Sequence, residues 1–379
     1  MSRARDFADL ASANASGSLV SPNLVDNGMM AIYQRGTAVI TGNTGKYSLD
    51  RWNTYQYGGG HLTITKDTEV PTGKGFLSSM KLDVTQAESS MASGDRYLIR
   101  QGIEGQNLQR LCKGTSDAKP LTLQFWVRSP KTGIHVALLL DETNSRWCSK
   151  SYTIASADTW QYVTVTFPAD TTGALPNDHT GALSLRFYLG SGSDTAGGSS
   201  LGTTWNTTAN QQAVGQVNVL DNTSNNFYLT GVQLELGEVA TPFRHENFSD
   251  TLKKCERYTQ VIGNEESDST PTTAFGFGYL DDASNAEMVH PLATRMRIKP
   301  TVTLSTDQNL DLKTDGQGGA VASTPASNFD NSETHLKFTL DGNAGNWSRG
   351  DNGGAVFARW NGAQGTDATT WWIVNSEIF

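Results

Sequence analysis

The side chains best suited to hold another molecule are aromatic. They lie scattered in a chain rich in Gly, Ser, Thr and Asn. Sugar rings stack on flat apolar faces, so a tryptophan in a polar loop is a candidate platform. Trp205 stands among Thr203, Thr204, Asn206, Thr207 and Thr208, where no core pattern explains it. Such a side chain plugs back into its own domain, packs on a partner subunit, or offers a stacking face. Trp147, near a turn, is the second candidate, and Tyr55 and Tyr57 beside Gly58-Gly59-Gly60 follow. Trp52, Trp126 and Trp160 fall in strand patterns and read as core.

Other chemistry finds little support. There is no H-E-x-x-H, no G-x-S-x-G elbow and no Walker loop. Asp311-x-Lys313-x-Asp315-Gly316 begins like a calcium loop, but Lys313 stands where an oxygen ligand is needed and Ala322 where a Glu closes the loop. A glycosidase pair is defined by a spatial separation of about 5–10 Å, which residue spacing does not encode. The reading is therefore non-enzymatic, with no catalytic residue, no metal ligand and no cofactor. A structural calcium held by loop carbonyls and a carboxylate stays open. Cys112, Cys148 and Cys255 are widely spaced and read as free thiols, with a Cys112–Cys148 disulfide as the other option.

These residues must be positioned by strands. Leu121, Leu123, Phe125 and Val127 alternate with Thr122, Gln124, Trp126 and Arg128. Val163, Val165 and Phe167 alternate with Tyr162, Thr164 and Thr166. Leu183, Leu185, Phe187 and Leu189 alternate with Ser184, Arg186 and Tyr188. A period of two marks strands with one buried face. Further candidates lie at 29–35, 49–56, 61–66, 76–84, 96–103, 134–141, 151–155 and 211–220. No helical period separates them, so two packed sheets in a jelly roll are expected.

Residues 227–236 form a strand whose apolar phase slips. Phe227 and Leu229 share one parity; Val232, Leu234 and Leu236 share the other. A bulge at Thr230-Gly231 accounts for it. Asn247 or Ser249 can cap a following helix with Phe248, Leu252 and Cys255 on one stripe. Polar residues 263–273 lead to shorter strands at 274–280, 286–293, 301–305, 334–340, 354–360 and 370–378, split by Gly-rich loops. At the other end, residues 2–11 read as a short amphipathic helix, tethered by Ala13-Asn14-Ala15-Ser16-Gly17-Ser18.

Length and charge bound the rest. A chain of 379 residues accommodates two or three domains. A net charge of −9 gives no basic footprint for nucleic acid. No 18-residue apolar run is present for a membrane span, and the first residues show no secretion-signal core.

Two resemblances follow from particular residues. Gln233-Leu234-Glu235-Leu236-Gly237, then Ala240-Thr241-Pro242-Phe243 and Cys255-x-Arg257-Tyr258, resembles a segment of bacteriophage virion proteins, tail-fibre and minor structural proteins among them. The likeness extends to Asn27-Gly28, Tyr33-Gln34-Arg35-Gly36, Asp50-Arg51-Trp52, Arg295-Met296-Arg297 and Pro300 to Leu304. Phe125-Trp126-Val127 with the strand at 159–167 resembles carbohydrate-binding-module jelly rolls.

The first resemblance implies a phage virion protein. It would be made in the bacterial host cytoplasm and reside in the virion, as a homotrimeric tail fibre or short appendage that recognises host-surface glycans. Capsid decoration, as a head fibre that stabilises the head, is the alternative; a carbohydrate-binding module or glycan hydrolase is more remote. Attachment to other virion proteins would use the N-terminal peptide, through Arg3, Arg5, Phe7 and Leu10. The expected architecture is all-β. An anchor peptide and tether (1–22) precede a large jelly-roll β-sandwich (23–247), a linking helix (248–262) and a smaller C-terminal β domain (263–379). Trp205 and Trp147 are the ligand-binding candidates.

Overall fold

The alternation becomes antiparallel sheet. A computed structural model describes residues 23–263, 274–280, 285–304, 310–314, 322–323, 329–341, 355–360 and 371–379. The N-terminal peptide with Arg3, Arg5, Phe7 and Leu10 lies outside the described residues, as does most of the polar 263–273 stretch. The chain divides into two units: residues up to Leu252 with Ile378–Phe379, and Lys253–Glu377.

In the first unit, strands β1 (Ala38–Thr41), β2 (Thr44–Tyr47), β3 (Asn53–Tyr57), β4 (His61–Asp67), β5 (Ser79–Gln86) and β6 (Arg96–Glu104) come first. β7 (Leu121–Arg128), β8 (Gly133–Asp141), β9 (Arg146–Ile154), β10 (Gln161–Phe167), β11 (Gly181–Ser191) and β12 (Asn226–Leu236) follow. They form two six-stranded sheets, ordered β1-β4-β5-β12-β7-β10 and β2-β3-β6-β11-β8-β9. Their inward residues make one core: Ile64, Leu82, Leu123, Phe125 and Leu229 from the first sheet meet Ile99, Leu139, Leu185 and Phe187 from the second. This is the jelly-roll sandwich expected.

The slip in β12 is a bulge. Gly231 sits at φ +62°, and the register against β7 shifts between Thr230 and Gln233. A Cβ there would lie 2.6 Å from the Phe76 ring. The shift keeps Phe227, Leu229, Val232, Leu234 and Leu236 all facing the core. It also changes the neighbour. Asn226–Leu229 pair with β5; beyond the bulge, the Val232 amide donates to the Gly28 carbonyl, and Leu24 donates to Leu234.

Several strand expectations give way. Residues 29–35 form no strand. Asn27, at φ +52°, accepts from the Ile32 amide through Oδ1 and donates through Nδ2 to the Ile32 and Asp50 carbonyls. Side-chain bonds of this kind compete with a ladder. Residues 211–220 fold instead into irregular chain with 3-10 turns at Ala209–Gln211 and Val219–Asp221. β1 and β2, four residues each, were not legible as alternation. Trp126 is not core. It lies on the outer face of the first sheet, 5.4 Å from the Tyr162 ring, and Trp160 stands 6.1 Å from Tyr228. Trp52 is fully buried.

The helix spans Phe248–Glu256 and buries Thr251 and Cys255, whereas Phe248 is exposed. Residues Thr259–Gly263 are strand β13 rather than a continuation of that helix. The second unit adds β14 (Ala274–Leu280), β15 (Asn285–Pro291), β16 (Thr301–Leu304), β17 (Leu310–Thr314), β18 (Ala322–Ser323), β19 (His335–Asp341), β20 (Ala355–Trp360) and β21 (Trp371–Asn375). Its sheets run β13-β21-β16 and β18-β17-β20-β14-β15-β19. Phe338 and Trp372 pack edge to face at 4.9 Å, with Phe329 against both. The calcium-like run enters β17, and its continuation after Thr314 lies outside the described residues apart from β18.

His135 is a titratable group in the first unit's interior. It is fully buried on β8 and stacked on Tyr152 at 5.6 Å. Burial pushes its pKa down to about 4. At pH well above the unfolded value of about 6.5 the ring is neutral in both states. Below that, the unfolded chain takes up a proton the folded chain refuses, so stability is lost as pH falls toward 4. The loss should approach about 3 kcal/mol, at 1.36 kcal/mol per pKa unit. Denaturant midpoints measured between pH 7.5 and 4.5 should drop for the native chain, and His135→Phe should flatten that slope.

Candidate ligand-binding face

The outer face of the second sheet is built from the residues whose parity opposes the core. It carries Tyr55 and Tyr57 on β3, Arg96, Leu98 and Arg100 on β6, and Ser184, Arg186 and Tyr188 on β11. Val136, Leu138 and Leu140 follow on β8, and Trp147 and Ser149 on β9. The face divides in two. Over β8 and β9, residues 193–217 fold back as a cover. Trp147 and Asn206 exchange backbone hydrogen bonds of 2.9 Å each, and the Ser149 amide donates to Gly202. Gln216 Oε1 accepts from the Val136 amide, and the Tyr188 hydroxyl donates to Gln212 Oε1. Beneath the cover lies a second apolar cluster of Leu98, Val136, Leu138, Trp147, Tyr188 and Ala213.

Both tryptophan candidates belong to this covered half. Trp147 is 7% exposed, inside the second cluster. Trp205 is partly buried against the main core, and its Nε1 donates to the Pro168 carbonyl at 2.8 Å. The Lys113 ammonium sits 5.2 Å from its ring. Of the three placements a loop tryptophan can take, this is a pin in its own domain.

Lys113 explains why that corner is ordered. Its Nζ donates to Asp141 Oδ2 and to the Thr172 and Gly173 carbonyls at 2.9 Å, and lies 3.0 Å from Asp170 Oδ2. Arg146 holds Asp170 by a bidentate pair at 3.0 and 3.1 Å. Burial alone would raise the Asp170 pKa, but the bonds from Arg146 and Lys113 bring it below its ordinary value. Four oxygens, two of them carboxylate, are a donor set suited to a hard cation. Here the ammonium occupies it.

Toward β3 the cover ends: Leu98 and Tyr188 still lie beneath it, whereas Tyr55, Arg96, Arg100 and Arg186 are half-buried and reach a partly open strip. Tyr57 is 45% exposed at one end. Ile378 and Phe379 border the side. A Cβ on Gly102 or Gly181 would lie 2.8 or 2.2 Å from Ile378 Cγ2, so these two glycines clear its seat. In the floor, Arg100 stands directly across from Arg186. Arg186 donates to Glu142 Oε1 at 2.7 Å and to Ser184 Oγ at 3.0 Å. Arg100 donates through Nε to Asn53 Oδ1 at 2.9 Å, and its guanidinium carbon lies 4.9 Å from the Tyr55 ring and 3.9 Å from the Phe379 ring. Burial, then Arg186, lowers its pKa to about 10, so it remains charged at neutral pH. Tyr55 and Tyr57 are the aromatic candidates beside the Gly-rich turn at 58–60. Arg100 and Arg186 did not stand out, because one arginine per strand looks like an ordinary outward residue until the register pairs them.

Among the described residues, no group of three or more His, Cys, Asp or Glu could hold a metal ion. The three cysteines are free thiols, and burial pushes Cys148 up to about 12.

No family model matches the sequence, and no curated protein matches it. Among solved structures, the enzymatically active domain of tailspike protein 4 from bacteriophage CBA120 is similar at a TM-score of 0.29 and 14% identity. That likeness covers 56% of this chain, which spans 21% of the tailspike chain. A sugar-binding protein described from Bacteroides thetaiotaomicron matches at a TM-score of 0.32 and 14% identity, over 57% of this chain and 100% of that one. A family 11 carbohydrate-binding module from Clostridium thermocellum matches at 0.27 and 10% identity, over 54% and 98%. TM-scores of this size carry no argument about ligand or partner.

Trp205→Ala should remove a pin rather than a platform. Truncating a packed tryptophan costs about 3 kcal/mol, or roughly 6–12 °C in Tm for a unit of this size. A thermal melt of the variant checks it. An unchanged Tm would mean the ring contributes nothing to folding.

Proposed function

We propose that this chain is a non-enzymatic phage virion protein, part of a tail fibre or short appendage, that recognises host-surface glycans. The open strip of the second sheet is the observation that carries the binding role. Exposed Tyr57, the Tyr55 ring and two guanidinium groups line it, between the 193–217 cover and the Ile378–Phe379 border. Flat rings beside hydrogen-bond donors suit sugars, whose faces are apolar and whose rims are hydroxyl. The virion assignment rests on the residues of the phage resemblance, which occur in order along the chain from Asn27 to Leu304. The N-terminal peptide would dock on the particle, and the chain would assemble as a homotrimer.

Two experiments bear on this reading. Purified protein on an array of bacterial surface glycans should bind, and Tyr57→Ala should weaken that binding by about tenfold with an unchanged Tm, since stacking contributes on the order of 1–3 kcal/mol. Binding to no glycan at all would remove the recognition role. Separately, a chain lacking residues 1–20 should keep both units folded and sediment as the same oligomer, yet be missing from assembled particles. Its presence in purified virions would place the attachment elsewhere.

A further inference from the structure

We propose that the ligand of the open strip is anionic, a sugar bearing a carboxylate that Arg100 grips through its free edge. The proposal rests on the glycan reading above and adds the charge of the ligand to it.

Among the described residues, neither Arg100 nor Arg96 on this face has an ion pair, and of the two Arg100 is the one held between aromatic rings. Its neighbour Arg186 has Glu142. Among the described residues, Arg100 makes one hydrogen bond, from Nε to Asn53, and no ion pair. Among the described residues its two terminal nitrogens have no partner, and neither is fully buried, so both are reachable by a ligand. Like charges directly opposite on neighbouring strands are unfavourable. Here Glu142 is ion-paired to Arg186 alone, which leaves positive charge in excess at this spot of a chain whose net charge is −9.

The side chain is also held in shape. The Tyr55 and Phe379 rings flank the guanidinium, and Asn53 fixes its Nε. Cation–π contacts of this kind partly offset desolvation but supply no acceptor oxygen. A guanidinium with its terminal fork free is matched by a carboxylate, which accepts two parallel N–H bonds. Little rotamer freedom remains to be lost on binding. Tyr57, on the same outer face of β3 as Tyr55, would then meet the sugar ring. A purely structural reading of Arg100, as a clamp on Phe379, would need no free fork on the open side.

The test uses the full chain and two probes: an oligogalacturonate, and the same oligosaccharide with its carboxyls reduced to alcohols. Calorimetry should show the acidic probe binding at least about tenfold more tightly than the reduced one, as charge-assisted bonds contribute about 1.5–3 kcal/mol. That preference should shrink as salt rises. Arg100→Gln should abolish the preference with its Tm close to that of the native chain. Should Arg100→Gln not fold, Arg100→Lys keeps the charge and loses the fork, and should still reduce the preference severalfold. Equal binding of both probes, or an undiminished preference in Arg100→Gln, overturns the charge assignment and leaves glycan recognition standing. Binding of neither probe overturns the acidic ligand, and the surface-glycan array then decides separately whether any recognition remains.

Discussion

The first unit depends on one strand having two different neighbours. β12 runs through the middle of its sheet, but only its first half has a strand, β5, on the side away from β7. The second half would leave unpaired amides and carbonyls in the interior, a cost of several kcal/mol in sum. Residues 23–28 fill the gap. Asn23 Oδ1 accepts from the Leu234 amide, Asn23 Nδ2 donates to the Val232 carbonyl, and Gly28 accepts from Val232. A Cβ on Gly28 would lie 2.1 Å from the Val232 oxygen, so close approach demands glycine there.

The first-unit residues of the phage resemblance converge on this place. Asn27 holds the Ile32 and Asp50 backbone, and its own carbonyl accepts from Trp52 Nε1. Arg51 reaches the Gly102 carbonyl and pairs with Asp26. Beyond the bulge, Gln233 Oε1 accepts from the Arg244 amide, and Glu235 binds the amide and hydroxyl of Thr241. The landmarks therefore hold a scaffold together. Their polar groups are spent on one another rather than on a ligand.

The same accounting separates the two halves of the outer face. Where residues 193–217 lie on the sheet, Trp147, Tyr188 and the Val136 amide already have partners within the fold. Lys113, though buried, is surrounded by oxygens from Asp141, Asp170, Thr172 and Gly173. Arg100 is the contrasting case, a cation ordered by rings and an amide, with its hydrogen-bonding edge free. The recognition proposed for this face would fall to groups that the fold orders without satisfying.

Much of the fold was legible from local pattern. Alternation in 121–127 and 183–189 marked strands and their buried faces, because the side-chain period of a strand is two wherever one face is covered. The phase slip at Gly231 marked the bulge for the same reason. Residues 29–35 misled because apolar side chains there point inward from a turn held by Asn27, which no periodicity reports. The site was less legible. Trp205 stood out as an apolar residue in a polar loop, yet its partner Pro168 lies 37 residues away and Lys113 farther still. Arg100 and Arg186 are separated in sequence by four strands, β7 to β10, and meet only through the β6–β11 register. Sequence alone determined which residues of the regularly alternating strands face inward, since that follows from neighbours two apart. Tertiary structure decided which outward residues were covered, paired or left open, since that depends on long-range register and on a cover drawn from a distant segment.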